Sequence, residues 1–421
     1  MNIVFLTRAS RQHRNNKMKF YQDIVGKKMS ELGHGVTIIT TSLKDQPEIK
    51  IETDKHQIRT EFLEGTKPDI YTEKFWLDSA KRCFELYEKN KLDVVIGISF
   101  GAFGLICDLG TTRPFLLVNV FQNTFSTNAG LRKKSSMNPS KMIRKIRAER
   151  KEKMIWLSRA KPLFLDSDLV VVPSNHLKTN LAPDLAVDNN EKLNLQSKIT
   201  VIHNGIDERQ FKPATVIEKD KIKEQILEKY AFSNAPNPLI VFIGRISAQK
   251  GLVYLIDSLY LLRKKNYEFN CIIAGRSEGS GYLQFLISKI NKYNIGDSVK
   301  VNSSGTQNVA RYYAASDIAV HPSICDEGGV SYSLLESMAS GCAVITAKSG
   351  GNVEAVKDGL NGLVIPKKDS NSLTKAIAKI IDDPQFAEKI KANARDTVLN
   401  SFTITKHVET LLANIEGLKN V

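Results

Sequence analysis

The sequence predicts an α/β protein of two domains, each a parallel sheet wrapped on both faces by helices. Three observations carry this. The chain has 421 residues, too many for one ordinary core. Short, uninterrupted apolar runs alternate with segments of helical period, which is how parallel strands buried on both faces read. Near residue 239 the alternation stops and starts again.

Asn2 to Leu6 opens the first domain as a strand. The loop after it, Thr7 to Lys19, carries Arg8, Arg11, His13, Arg14, Lys17 and Lys19. A helix is expected next, with Phe20, Ile24, Met29 and Leu32 on its apolar side and Gly33 as its stop; Val36 to Thr40 is the second strand. Strand–helix–strand places ligands at the carboxyl ends of the strands, so the basic loop lies on a binding edge, where it serves either an anionic ligand or solvent. Leu92 to Gly97 and Phe115 to Val120 are further strands, and Gln122 follows the second at the same edge. Ser99 to Gly104 is glycine-rich, but small residues there equally let a helix pack close. Asp166-Ser167-Asp168 has the form of a metal-binding DxD, yet the entrance to the strand Asp168 to Ser174 accounts for both acids, and no metal is expected. Ile199 to Ile202 ends in His203-Asn204-Gly205, a turn in which His203 reads as structural. The charged stretch from Pro213 to Pro238 is the expected junction, giving domains 1–212 and 213–402, with a final helix over 403–421 returning to the first.

The second domain restarts with the strand Leu239 to Gly244, running into Arg245 and, five residues on, Lys250 beside Gly251. Two cations at a strand-to-helix turn suit a diphosphate, Arg binding oxygens bidentately and Lys acting as a point charge. After Cys271 to Gly275 and Val299 to Val301 comes the stretch from Asp317 to Gly351. It reads as strand, acidic glycine turn (Asp326 to Gly329), helix (Tyr332 to Ser340), strand (Ala343 to Thr346) and the turn Ser349-Gly350-Gly351. Glycines at a helix start expose backbone N–H groups to an anion. Glu336, one turn inside, suits the vicinal hydroxyls of a ribose. A nucleotide ligand and an ordinary βαβ corner both fit these residues. Ser370 to Leu412 reads as helices.

Composition, 42% hydrophobic and 25% charged, is globular. No run of eighteen apolar residues predicts a membrane span, and Met1 to Leu6 reads as strand rather than leader. Cys83, Cys107, Cys271, Cys325 and Cys342 lack CxxC spacing, which suits a reducing cytoplasm and argues against structural zinc. The net charge of +15 is concentrated: between Arg132 and Lys161 twelve basic residues face only Glu149 and Glu152. Such a block is a solvated helix face or meets an anionic partner.

In order, LGHGVTIIT, SDLVVVPS, VIHNGID, VFIGRISAQKG, CIIAG, YYAASDIAVHPS, LLESMASGCAVIT and SGGNVEAVKDGLNGLVIP resemble the family-4 (group 1) retaining glycosyltransferases of GT-B fold. The resemblance covers nearly the whole chain and is most specific in its second half. It implies two Rossmann-like domains with parallel sheets facing each other across a cleft, and a nucleotide-diphosphate sugar as donor substrate with no further cofactor. It assigns the diphosphate to Arg245 and Lys250 beside Gly244, the ribose to Glu336, and phosphate or sugar contacts to the backbone of Gly328, Gly329, Val330 and Ser331. Gly350 and Gly351, with Glu354, would border the donor. Catalysis would fall to Arg245, Lys250 and Glu327, acceptor contacts to Arg8, Arg11, Arg14 and Gln122.

The chain departs from the family pattern at three points. The paired glutamates of the family have seven residues between them, which counted back from Glu336 lands on Gly328, one past Glu327. Either the turn bulges and Glu327 reaches the sugar, or Asp326 or backbone takes the role. The loop Thr7 to Lys19 has no Gly-Gly, and Gln122 stands where the family often has His. The expected function is transfer of a hexose-type sugar, with retention, to a saccharide or lipid-linked acceptor in bacterial polysaccharide or lipopolysaccharide synthesis. The expected place is the cytoplasm, peripheral at the inner membrane face through Arg132–Lys161. The alternatives are a non-catalytic nucleotide-sugar-binding protein and a transferase acting on nucleic acid, the latter lacking any base-reading module.

Overall fold

The computed structural model describes residues 1–14, 21–107, 113–123, 139–185, 196–232, 237–277, 279–306 and 308–419. The chain divides into two compact units, Met1–Ile202 with Ile404–Val421, and His203–Thr403.

The first unit holds eight strands: β1 (Asn2–Leu6), β2 (Gly35–Thr41), β3 (Ile51–Thr53), β4 (Arg59–Leu63), β5 (Val94–Ile98), β6 (Leu116–Val120), β7 (Leu169–Val172) and β8 (Ile199–Val201). Their order is β3-β4-β2-β1-β5-β6-β7-β8, parallel except for the β3–β4 pair at one edge. Along β1, Ile3 and Phe5 enter one core and Val4 and Leu6 the other. Both faces are covered, which is why β1 reads as an unbroken apolar run.

The first helix, Tyr21–Glu31, differs from the sequence reading. It buries Tyr21, Val25 and Met29 at four-residue spacing, while Leu32 lies beyond its end and is 42% exposed. Polar Gln22 is buried on the same helix because its side-chain amide donates to the Ala9 carbonyl at 2.8 Å. The C-terminal helix Ile404–Lys419 packs on this face through Val408, Leu411 and Ile415, and Tyr21 Oη meets His407 Nε2 at 2.7 Å. At the β7 entrance, an Asp168 carboxylate oxygen accepts the Leu117 N–H at 2.7 Å, the structural role expected of it.

The second unit holds β9 (Leu239–Ile243), β10 (Asn270–Ala274), β11 (Val299–Asn302), β12 (Ile318–His321), β13 (Ala343–Ala347) and β14 (Leu363–Ile365). The sheet is parallel throughout in the order β11-β10-β9-β12-β13-β14. Helices cover both faces, and Ser370–Asp382 and Pro384–Ser401 supply much of the packing.

The unit begins ten residues before the expected junction. The Ile206 N–H donates to the Phe402 carbonyl at 2.9 Å, and Phe211 is buried in the second core. The stretch expected to be a linker contains the helix Val216–Lys229, opened by a capping box between Thr215 and Glu218. It has only two buried residues, Ile226 and Leu227, so its period is faint. An electrostatic clamp holds it instead: Lys219 and Lys223 reach the two oxygens of Asp317 at 2.7 and 2.8 Å. Burial opposes ionisation of Asp317, but the two ammonium groups outweigh it and bring the carboxyl down to about 2 from an ordinary 3.8. A folded value below the unfolded one contributes stability above pH 4 that is lost as pH falls toward 2. Asp317→Asn is therefore expected to lower stability by about 2 kcal/mol at pH 7. In urea titrations at pH 7 and pH 2.5 the gap to wild type should shrink by more than half at the lower pH; a constant gap would refute the clamp.

Candidate active site

In the second unit the chain runs β9 to β10 to β11 outward, then returns to place β12 on the other side of β9. The loops after β9 and β12 therefore diverge at a topological switch point, where open parallel sheets bind ligands at the strand carboxyl ends. They are the Gly244–Gly251 turn and the Pro322–Ser331 turn.

The two turns are fitted backbone to backbone. Gly251 has φ +68°, and a Cβ there would lie 2.0 Å from the Pro322 carbonyl oxygen; the Ile324 N–H donates to the Gln249 carbonyl at 2.9 Å. Gly350, in the turn after β13, has φ +52°, and a Cβ would fall 2.0 Å from the Glu327 carbonyl oxygen. The Gly351 N–H donates to that oxygen at 3.1 Å. Only glycine allows both a left-handed φ and this approach.

This fit gathers the charged residues. Lys250 Nζ lies 2.5 Å from Glu327 Oε1, and the Ser323 hydroxyl donates to the same oxygen at 2.7 Å. Burial alone would raise the Glu327 carboxyl; the Lys250 charge and hydrogen bond, with Ser323 and nearby Arg245, outweigh it, so Glu327 titrates below its ordinary value. Arg245 is exposed at the turn after β9. Asp326 faces elsewhere, accepting the Gly350 N–H at 2.9 Å and pairing with Lys367 Nζ at 2.5 Å. Glu327 is thus turned onto Lys250, and Asp326 pins the neighbouring glycine turn.

The helix Tyr332–Ala339 starts at Ser331. The Ser331 N–H is committed to Asn352 Oδ1 at 2.9 Å, so this donor holds the two turns together. Gly328, Gly329 and Val330 are buried just ahead of the helix. Glu336 lies half-buried one turn in, and after burial its charge is the next cause that raises the Tyr332 and Tyr313 hydroxyls. His321, at the end of β12, is buried; burial first, then the charge of Lys250, brings its imidazole to about 3. Ser337 donates to the Leu334 carbonyl, so His321 Nε2 donates to Ser337 Oγ at 2.9 Å and the ring is neutral. Ser323, Asn352, Lys367 and His321 thus brace the candidate site and were missed by sequence reasoning; Asn352, Lys367 and His321 act on partners distant in sequence, and Ser323 on Glu327 across the turn. His203 stacks on Phe402 at 5.3 Å, with Nε2 3.6 Å from Glu354 Oε2.

The residues assigned to an acceptor belong to the first unit. Its switch point lies between β1 and β5, and Arg8, Arg11 and Arg14 follow β1. Arg8 is exposed. Arg11 differs from expectation: its guanidinium is bound to Asp54 at 2.8 Å, bracing the loop. His13 braces it too. Thr41 Oγ1 donates to the Arg8 carbonyl, so His13 Nε2 donates to Thr41 Oγ1 at 3.0 Å. The Arg14 side chain, Lys17, Lys19 and Phe20 lie outside the described residues. Gln122 follows β6 and is half-buried. Of the basic block, 132–138 and the side chains of 139–146 lie outside the described residues; the remainder belongs to the helix Pro139–Asp166. Among the described residues no helix is long and apolar enough to cross a membrane.

Two doubly wound α/β units with a cation-bearing switch point in the second define the GT-B fold. The solved structure of Anabaena HepE in complex with UDP matches with a TM-score of 0.72 over 99% of this chain and 100% of that one, at 19% identity. Residues 223–397 match the family model of glycosyl transferases group 1. An uncharacterised glycosyltransferase of Methanocaldococcus jannaschii, MJ1607, is 28% identical over 49% of this chain and 51% of its own. The UDP-Gal:alpha-D-GlcNAc-diphosphoundecaprenol alpha-1,3-galactosyltransferase of Escherichia coli is 27% identical over 51% of this chain and 53% of its own. The matches thus span about half the length of these two relatives.

Proposed function

We propose that the protein transfers a hexose-type sugar from a nucleoside-diphosphate sugar to a saccharide or lipid-linked acceptor, with retention at the anomeric carbon, in bacterial cell-surface polysaccharide assembly. The observation that carries this reading is the Lys250 ammonium beside Arg245, held at the carboxyl edge of β9 and β12 between two glycine turns. HepE binds UDP, and the E. coli relative is named for a UDP-sugar donor and a diphosphate-linked lipid acceptor.

As the bond from the anomeric carbon to the diphosphate breaks, negative charge grows on the leaving oxygen. Arg245 and Lys250 stabilise it from fixed positions and supply the charge a metal ion would otherwise provide. The acceptor oxygen forms the new bond to the anomeric carbon and gives its proton to the departing diphosphate. Glu327 orients Lys250 before the donor arrives, N–H groups of Gly328, Gly329 and Val330 face the phosphates, and Glu336 accepts the ribose hydroxyls. Arg245→Ala is expected to slow sugar transfer about a hundredfold. Unchanged turnover and donor affinity would overturn the assignment. A thermal-shift screen of nucleotide sugars identifies the donor, since a ligand that binds the folded state raises its melting temperature.

The basic block supports a membrane-facing acceptor. Within the helix Pro139–Asp166, exposed Met154 and Ile155 stand beside Arg150 and Lys151, an apolar and cationic mixture suited to an anionic lipid surface. The protein is expected to float with vesicles containing anionic lipid at low salt and to be released at high salt. Flotation indifferent to lipid charge would sink this part.

A further inference from the structure

Beyond the donor cations, the turns after β12, β13 and β14 follow one another along the carboxyl edge of the second sheet, where these strands are neighbours. The turn after β12 carries two consecutive carboxylates, Asp326 and Glu327. Eight residues, Gly328 to Leu335, separate Glu327 from Glu336, one more than the family pattern has. Of the two acids, Glu327 reaches Lys250, at 2.5 Å.

Asp326 is held by the two turns beside its own. Its Oδ1 accepts the Gly350 N–H at 2.9 Å and meets Lys367 Nζ at 2.5 Å. Lys367 stands two residues past β14, on a turn fixed at both ends. Behind it, the Lys348 N–H donates to the Ile365 carbonyl at 2.8 Å. Ahead of it, Asp369 caps the helix Ser370–Asp382, its Oδ1 accepting the Ser372 N–H at 2.9 Å. Between them Lys368 holds the left-handed region at φ +62°, uncommon for a residue other than glycine and kept only where the surroundings over-determine the backbone. A set backbone therefore delivers the Lys367 ammonium to Asp326. The two side chains remain 29% and 44% exposed. An ion pair so open to water contributes little to stability, so the constrained turn under it has a use other than holding the fold.

We infer that Lys367 is a positioning residue of the donor site: it holds Asp326 on the Gly350 N–H, which leaves Glu327 to orient Lys250 and keeps a second carboxylate from the diphosphate. This rests on the transferase reading above and adds to it a residue that acts through Asp326. Without the ammonium, Asp326 loses the cation that balances it, one residue away from Glu327. Its charge then competes for Lys250 and opposes phosphates arriving at the same turn.

The full-length protein is titrated with UDP and with GDP by isothermal calorimetry, and the tighter of the two is carried through the variants. Lys367→Met should weaken its Kd about fivefold or more, while the melting temperature of the free protein stays close to wild type. Lys367→Arg, which keeps the cation, should bind within about twofold of wild type. Asp326→Asn added to Lys367→Met removes the unbalanced charge and keeps an amide oxygen for the Gly350 N–H, so most of the affinity should return. A brace that served only the fold would show no such recovery. Lys391→Met is the control for charge: it removes an ammonium paired with Glu388 on the helix Pro384–Ser401 and should leave the Kd where it was. Wild-type affinity in Lys367→Met, an equal loss in Lys391→Met, no restoration by Lys367→Arg, or no recovery in the double variant each overturns the inference. Should the wild type bind neither UDP nor GDP, the donor reading falls and takes this inference with it. Should the wild type bind and Lys367→Met bind equally well, the inference alone falls.

Discussion

Lys250→Met is expected to lower sugar transfer by a hundredfold or more, a loss of about 3 kcal/mol in transition-state stabilisation. The variant also removes the counter-charge of Glu327. That carboxylate is held below its ordinary pKa against the opposing effect of burial, so without the ammonium its pKa should rise and the ionised form should destabilise the second unit. The two consequences separate in a double variant. Glu327→Gln added to Lys250→Met removes the uncompensated charge and should recover part of the lost melting temperature, while transfer stays low. If transfer returns together with stability, Lys250 serves the fold and not the diphosphate.

Gly251→Ala should carry the largest structural cost. The added Cβ meets the Pro322 carbonyl oxygen at 2.0 Å with the backbone in the left-handed region, so strain and overlap combine. The expected loss is about 3 kcal/mol or more, several degrees in the melting temperature of the second unit. Separation of the two turns should also displace Lys250 and weaken donor binding. Gly305→Ala is the control: φ is +79° there, but no atom lies within 4 Å of the added Cβ, so only backbone strain of about 1 kcal/mol remains. Equal losses in the two variants would show that the fit between the turns contributes nothing.

The central strands were legible because a parallel strand buried on both faces is apolar at every position. Leu239–Ile243 shows this, its residues shared between two cores. The helix Val216–Lys229 was not legible, since Lys219 and Lys223 answer an aspartate nearly a hundred residues away and the helix has little apolar period. Leu32 was misread because helical spacing continues past the last helical residue. The position of Arg245 and Lys250 after a strand was readable, whereas the bracing of Arg11 by Asp54 and the Tyr71 and Trp76 rings under Arg8 and Arg159 were not.

What the sequence by itself determined is the α/β alternation, its restart, and the cations and glycines at strand ends, because these depend on local period and on residues adjacent in the chain. What only the tertiary structure decided is which carboxylate faces Lys250, which arginines are committed to structural acids, and which glycines no other residue can replace. Those outcomes depend on segments that meet through the sheet order, such as Lys250 and Glu327 on either side of the β9–β12 switch point, and no periodicity within either segment records its partner.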